Sequence, residues 1–238
     1  MDYEGFLELV KKRRSIRNFK KDPIPDEYVD KIIEAARWAP SGFNMQPWEF
    51  VVVKNEGLKD SIVKFINDQV AMIRGMEAAR ESWQGPKPKG GSLPPMGFAN
   101  APVFIIPFGD TRTRVALPMI HRFSDESWNK TFTSTLANTF LYLHLGATTL
   151  GLASQWVSAV TQPMAHFQIK QLLGIPMAFQ IYDMMALGYA DMELKPKMMR
   201  EREEIVHHDS CGEDDFRSDE EVKDFIYKFR NPGAGPRD

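Results

Sequence analysis

The chain has 238 residues, 43% of them hydrophobic and 26% charged, proportions of an ordinary folded protein that exclude disordered and fibrous classes. Thirty basic against 32 acidic side chains leave a formal net charge of −2, so no global positive field exists to hold nucleic acid or an anionic membrane surface. Any anion has to be gripped locally.

The opening segment sets Tyr3, Phe6, Leu7 and Val10 at helical spacing and ends in the cations Lys11, Lys12, Arg13 and Arg14, which suit a helix C-terminus. Asp2, Glu4 and Glu8 stand among its apolar positions, a layout unlike a secretory signal. The single cysteine, Cys211, fits a reducing compartment, so a cytoplasmic location is expected. Pro25, Asp26 and Glu27 announce a second helix, with Val29, Ile32, Ile33 and Ala36 on one face and a stop before Pro40. Phe50–Val53 reads as a buried strand, Leu58–Met76 as a helix, and Val103–Phe108 as a second strand edged by Pro102 and Pro107. Between these lies a Gly/Pro-rich loop over 84–98, which suits a substrate-covering lid and a tethered surface loop equally well.

From Thr131 to Ile169 there is no Asp, Glu, Lys or Arg. A membrane span needs about 20 mostly apolar residues, and Asn138, Thr139, His144, Thr148, Thr149, Ser154 and Gln155 interrupt the run. The expectation is a buried helix without a solvated face, at the centre of the domain or in a subunit interface. A helix over Pro163–Leu173, stopped by Gly174 and Pro176, and a strand over Ile181–Leu187 follow. Ser218 and Glu221 form a capping box for a last helix bearing Val222, Phe225, Ile226 and Phe229, and the tail 231–238 is expected to fray. No linker separates two cores, so residues 1–238 read as one α+β domain.

Two segments carry chemistry. Arg13, Arg14, Ser15 and Arg17 place three guanidinium groups and a hydroxyl where a helix gives way to loop, a pattern that grips phosphate and, taken alone, reads first as a solvated basic helix end. Ala39–Trp48 packs Ser41, Asn44 and Gln46 with the flexible Gly42 between Pro40 and Pro47, a rigid loop able to present hydrogen bonds to a planar heterocycle. His207–Cys211 matches no zinc spacing and reads as a surface turn, so no metal site is expected. His144 and His166 read as hydrogen-bonded core residues.

The pairing of Arg13–Arg17 with Ala39–Trp48 resembles the two N-terminal signatures of the FMN-dependent nitroreductases. Leu150–Ala159 is similar to that family's Gly-Leu segment leading to the flavin's reactive edge, and Leu187–Tyr189 followed by the basic stretch Lys195–Val206 is similar to its C-terminal strand and ending. The resemblance implies an α+β sandwich with a central, mostly antiparallel sheet flanked by helices, built as an intertwined homodimer. It implies FMN as cofactor, with Arg13, Arg14 and Arg200, and Lys197 beside them, near the phosphate, and Ser15 and Arg17 along the ribityl chain and pyrimidine edge. Pro40, Ser41, Gly42 and Asn44 would reach the flavin of the other subunit, and Thr135 falls where some relatives bond the ring. Val157, Ser158 and Ala159 would pass N5, with Ser158 as the catalytic candidate through its backbone N–H or hydroxyl; many relatives carry an acidic residue and a Gly at 158 and 159, so substrate preference does not transfer.

The implied activity is ping-pong electron transfer from NAD(P)H to a nitroaromatic, quinone, enone or similar small acceptor. No Rossmann glycine fingerprint is present, so the nicotinamide nucleotide is expected to bind transiently in the acceptor's place. The alternatives are a flavin-fragmenting benzimidazole synthase, a reductive dehalogenase, and a flavin-binding protein without turnover.

Overall fold

The computed structural model describes residues 1–84, 96–193 and 197–231, so Gly85–Pro95 of the expected loop and residues 232–238 of the expected tail lie outside the described residues. The chain forms two compact units, one of Met1–Val70 with Leu93–Leu194, the other of Ala71–Ser92 with Lys195–Asp238.

The larger unit is built on an antiparallel sheet of β1 (Trp48–Val53), β2 (Val103–Asp110), β3 (Ala153–Val157), β4 (Phe179–Ile181) and β5 (Met184–Gly188), in the order β1-β2-β5-β3 with β4 also on β2. Strands β2 and β5 are the central pair and read as apolar runs, because both of their faces are covered. Side chains alternate between two cores. On one face Val103, Ile105, Met185 and Leu187 meet Val29 and Ile32 of α2 (Asp26–Arg37) and Phe140 and Leu143 of α5 (Asp125–Thr149). On the other, Phe104, Ile106, Met184 and Ala186 meet Ile62 and Ile66 of α3 (Glu56–Met76) and Ala165 and Ile169 of α6 (Pro163–Leu173). The α+β sandwich expected from the resemblance is therefore the observed architecture.

Helix α1 (Tyr3–Lys12) starts on Asp2, whose carboxylate accepts the N–H of Gly5 at 2.9 Å. In the smaller unit α7 (Asp219–Arg230) starts on the expected Ser218–Glu221 capping box, and Arg230 donates to the carbonyl of Gln84 at 3.0 Å.

The structure departs from the sequence reading at four places. The charge-free stretch is not one helix: α5 ends at Thr149, Gly151 turns the chain with φ 72, and β3 and α6 follow. Nor is α5 sealed all round, since Leu141 is 44% exposed and Thr133, Ser134 and Thr149 are exposed, leaving an uncharged open face. Strand β2 runs through Pro107 as expected but continues past Phe108 to Asp110, because from Phe108 on it pairs with β4 where β5 has ended. The strand expected over 181–187 is split by Tyr182 and Asp183 into β4 and β5, and the short α4 (Met119–Arg122) was not foreseen.

Candidate functional site

Between α1 and α2 the chain runs extended along the sheet edge. Ser15 bridges Ser154 of β3, Ile16 donates its N–H to the Ser154 carbonyl at 3.0 Å, and Lys20 donates to the Tyr189 carbonyl at 2.9 Å. Ile16 and Phe19 turn into the core, which leaves Arg17 exposed on the opposite side. The backbone here is clamped by a one-turn helix, Gly97–Asn100: a Cβ on Gly97 would stand 1.6 Å from the Arg17 carbonyl oxygen, so only glycine fits.

This packing encloses a groove of about 340 Å³ lined by Arg17, Ile66, Met96, Gly97, Phe98 and the run Gln155–Ala159. Arg17, Val157, Ser158 and Ala159, drawn from distant parts of the sequence, thus share one wall system. The walls are largely apolar and the polar groups few, the usual make-up of a small-molecule site. Arg17 has no carboxylate partner among the described residues, and the exposed Ser158 hydroxyl makes no hydrogen bond there, its carbonyl accepting from Thr161 Oγ1 at 2.8 Å. The side-chain oxygen of Gln155 is shut off from solvent without a hydrogen-bond partner. Buried acceptors of this kind are ordinarily satisfied.

Behind β3 lies a polar chain. His144, 2% exposed, sits with Nδ1 2.7 Å from Ser154 Oγ, as expected of a core histidine, and burial together with the charge of Arg13 pushes its pKa down to about 3. Its ring stacks on Trp156 with centroids 5.9 Å apart. Trp156 in turn donates its indole N–H to Asp183, a buried carboxyl pushed up to about 6 by desolvation.

The other expected residues fall elsewhere. Arg14 folds back to donate to the Lys11 carbonyl at 2.7 Å, capping α1, and lines a separate crevice of about 220 Å³ with Lys12, Thr148 and Ser154. The Pro40–Asn44 loop is tied to α5: Gly42 N–H donates to Thr135 Oγ1 at 3.0 Å and Asn138 donates to the Pro40 carbonyl at 3.1 Å. Thr135 is only 2% exposed and spends its oxygen on this loop. Ser41 Oγ accepts from Gln46 N–H, Gln46 bonds Asn44, and Phe43, Asn44 and Gln46 all hold positive φ (55°, 53° and 45°), a strained conformation kept by its anchors. Lys197 is exposed in the smaller unit, where Arg200 is engaged by Glu204, donating to its carbonyl at 2.5 Å and pairing with its carboxylate at 3.3 Å. His207–Cys211 is exposed, as expected of a surface turn. Sequence reading missed Ile66 as a groove wall and gave Met96, Gly97 and Phe98 only as the end of the 84–98 loop, because nothing in an apolar residue marks it as lining a cavity.

The nitroreductase family model matches residues 10–189, and the chain belongs to the nitroreductase family. Its curated relatives include a putative NADH dehydrogenase/NAD(P)H nitroreductase of Archaeoglobus fulgidus, 27% identical over 186 residues, 78% of this chain and 86% of that one. Another is iodotyrosine deiodinase 1 of Rattus norvegicus, 45% identical over 69 residues; that match spans 29% of this chain and 24% of the relative. Among solved structures, an oxidized iodotyrosine deiodinase bound to FMN and 3-iodo-L-tyrosine superposes with a TM-score of 0.66 and 25% identity, over 86% of this chain and 99% of that chain. Membership makes the chain an oxidoreductase. No described helix is long and apolar enough to cross a membrane.

Proposed function

We propose that the chain is an FMN-dependent oxidoreductase that passes electrons from NAD(P)H to a small conjugated acceptor. The observation that carries this reading is the groove in which the Arg17 guanidinium and the Ser158 hydroxyl, neither with a side-chain partner among the described residues, converge on apolar walls. These groups fit a flavin's polar edge, which offers both hydrogen-bond acceptors and a ring N–H. FMN held there would supply the two-electron exchange that links donor to acceptor.

The chain's own residues supply position and charge. Arg17 offers its guanidinium to the side of the ring that gains negative charge, an electrostatic contribution fixed in advance by the Gly97 clamp. Ser158, at the mouth of the groove, presents a backbone N–H and a hydroxyl to the reacting edge. Arg13 and Ser15 hold the phosphate and ribityl end. The Pro40–Asn44 loop, held rigid by α5, serves the groove of a second copy, and the uncharged face of α5 supports that homodimer. Ile66, Phe98 and Val157 exclude water from the ring.

Anaerobic reduction of the purified yellow protein by NADH and by NADPH, followed by nitroaromatic and quinone acceptors, tests the reading. A colourless protein that takes up no FMN on reconstitution overturns it. The deiodinase relatives favour one second reading, reduction of halogenated phenols. Halide release from iodo- and bromophenols under the same conditions distinguishes it.

A further inference from the structure

Strand β3 bears the groove wall and is anchored from behind. Gln155, Trp156 and Val157, with Ser158 and Ala159 beyond its end, line the groove. On the far side His144 holds Ser154, and Asp183 Oδ2 accepts the Trp156 indole N–H at 2.5 Å. Asp183 is 7% exposed and lies in the break between β4 and β5, where Tyr182 donates its N–H to the Pro107 carbonyl at 3.0 Å. The next two residues, Met184 and Met185, pair with Val157 and Trp156, so the carboxyl is fixed to the rungs of the sheet that carry the wall.

Burying a carboxyl is unfavourable unless a donor meets it, and the indole is the one donor that Asp183 has among the described residues. Replacing such a donor and acceptor together by apolar groups is often neutral for folding, so stability alone does not call for the pair. What the pair does is geometric. The indole face lies on His144 at 15° with centroids 5.9 Å apart, and the Phe140 ring meets it edge-on at 4.7 Å. Stacking fixes the plane of the ring, and the bond to Asp183 fixes its rotation within that plane. With the side chain held in this way the Trp156 backbone is held too, and Ser158 follows two residues on, where β3 gives way to a one-turn helix. We propose that Asp183 is a positioning residue: through its hydrogen bond to Trp156 it fixes the end of β3 so that the Ser158 N–H meets the reacting edge of the flavin. This rests on the flavin assignment above.

The test measures, in the full-length FMN-loaded chain, the limiting rate of flavin reduction by NADH or NADPH in anaerobic stopped flow, and FMN affinity by fluorescence titration. Asp183→Ala is expected to slow reduction about tenfold while FMN affinity stays within about threefold, because a misplaced reacting edge lowers the rate more than binding. Asp183→Asn, which keeps an acceptor oxygen, is expected to hold the rate within about twofold of the wild type. Trp156→Phe, which removes the donor but leaves a ring on His144, is expected to match Asp183→Ala, and the double variant to be no slower than either single one. Should the alanine variant not fold, Trp156→Phe against Asp183→Asn decides the matter. An unchanged rate in Trp156→Phe overturns the proposal, as do equal losses of rate and affinity, additive losses in the double variant, or a rate in Asp183→Asn as low as in Asp183→Ala. A folded wild type that takes up no FMN overturns the flavin assignment, and this proposal with it.

Discussion

Trp156 donates its indole N–H to Asp183 Oδ2 at 2.5 Å while its ring lies on His144, so a carboxyl and an imidazole with opposite pH responses share one aromatic partner. Asp183 titrates near pH 6 in the fold, above the ordinary 3.8, so the proton it holds stabilises the fold fully below about 3.8 and that contribution is lost as pH rises through 6. His144 titrates near 3, below the ordinary 6.5, so its contribution is present above 6.5 and is lost as pH falls toward 3. Between about pH 4 and 6 the two slopes oppose each other. Asp183→Asn keeps an oxygen for the indole but removes one slope. The variant should gain on the wild type by roughly 3 kcal/mol between pH 4 and pH 7.5 in denaturant unfolding. A constant difference across that range would contradict the assignment.

Arg13 stands where α1 gives way to the extended segment, and its charge acts on His144. Arg13→Ala should weaken FMN binding by about 1.5 to 3 kcal/mol, the range for a hydrogen bond to a charged group. Isothermal titration with FMN and riboflavin separates the phosphate from the ring: riboflavin affinity should hardly change. Equal losses for both would place Arg13 away from the phosphate.

Thr135→Val leaves the Gly42 N–H without its acceptor beneath a tight contact, since a Cβ on Gly42 would already lie 2.4 Å from Thr131 Cγ2. The expected cost is about 1 to 3 kcal/mol in global stability, with Thr135→Ser restoring most of it. If the loop serves a second copy, flavin affinity falls with it. Light scattering should give twice the 27.2 kDa of one chain, and a particle of one chain with tightly bound flavin would remove the loop from that role.

Gly97→Ala forces a methyl group onto the Arg17 carbonyl, and the chain has to shift by an ångström or more to admit it. A loss of about 3 kcal/mol is expected, a fall in Tm on the order of 10 °C for a chain of this size. An unchanged Tm would show that the clamp yields freely.

Ser158→Ala should leave FMN bound and alter the course of a reductive titration followed by absorbance, if the hydroxyl serves the reacting edge. An identical titration in the variant would reduce Ser158 to its backbone N–H. Acceptor turnover should follow the same pattern, because the side chain is exposed at the groove.

Much of the fold was legible because helix signals are local. Pro25 with Asp26 and Glu27, Gly174 after Leu173, and the Ser218–Glu221 box each mark an end that the structure keeps within a residue or two. Strand β3 was not legible as a strand, for its residues alternate faces between a helix and a cavity instead of between core and water. Within the groove, Arg17 and Val157–Ala159 were found through motif resemblance, whereas Met96–Phe98 depends on a backbone approach that no sequence pattern reports. Arg200 illustrates the converse limit: its identity suggested a phosphate ligand, but a carboxylate and a carbonyl four residues on compete for the same guanidinium.

The alternation along β3 also constrains which changes of length the gene tolerates. Deleting or inserting one residue between Leu152 and Val157 would hand Gln155 to the His144 side and Trp156 to the groove, orphaning Asp183 and filling the cavity with indole in a single event. Substitutions there act one at a time, but a frame slip exchanges the two faces together. Length variation among descendants of this sequence is therefore expected to stop at Gly151 on one side and to resume after Thr161 on the other, leaving these few residues a fixed ruler.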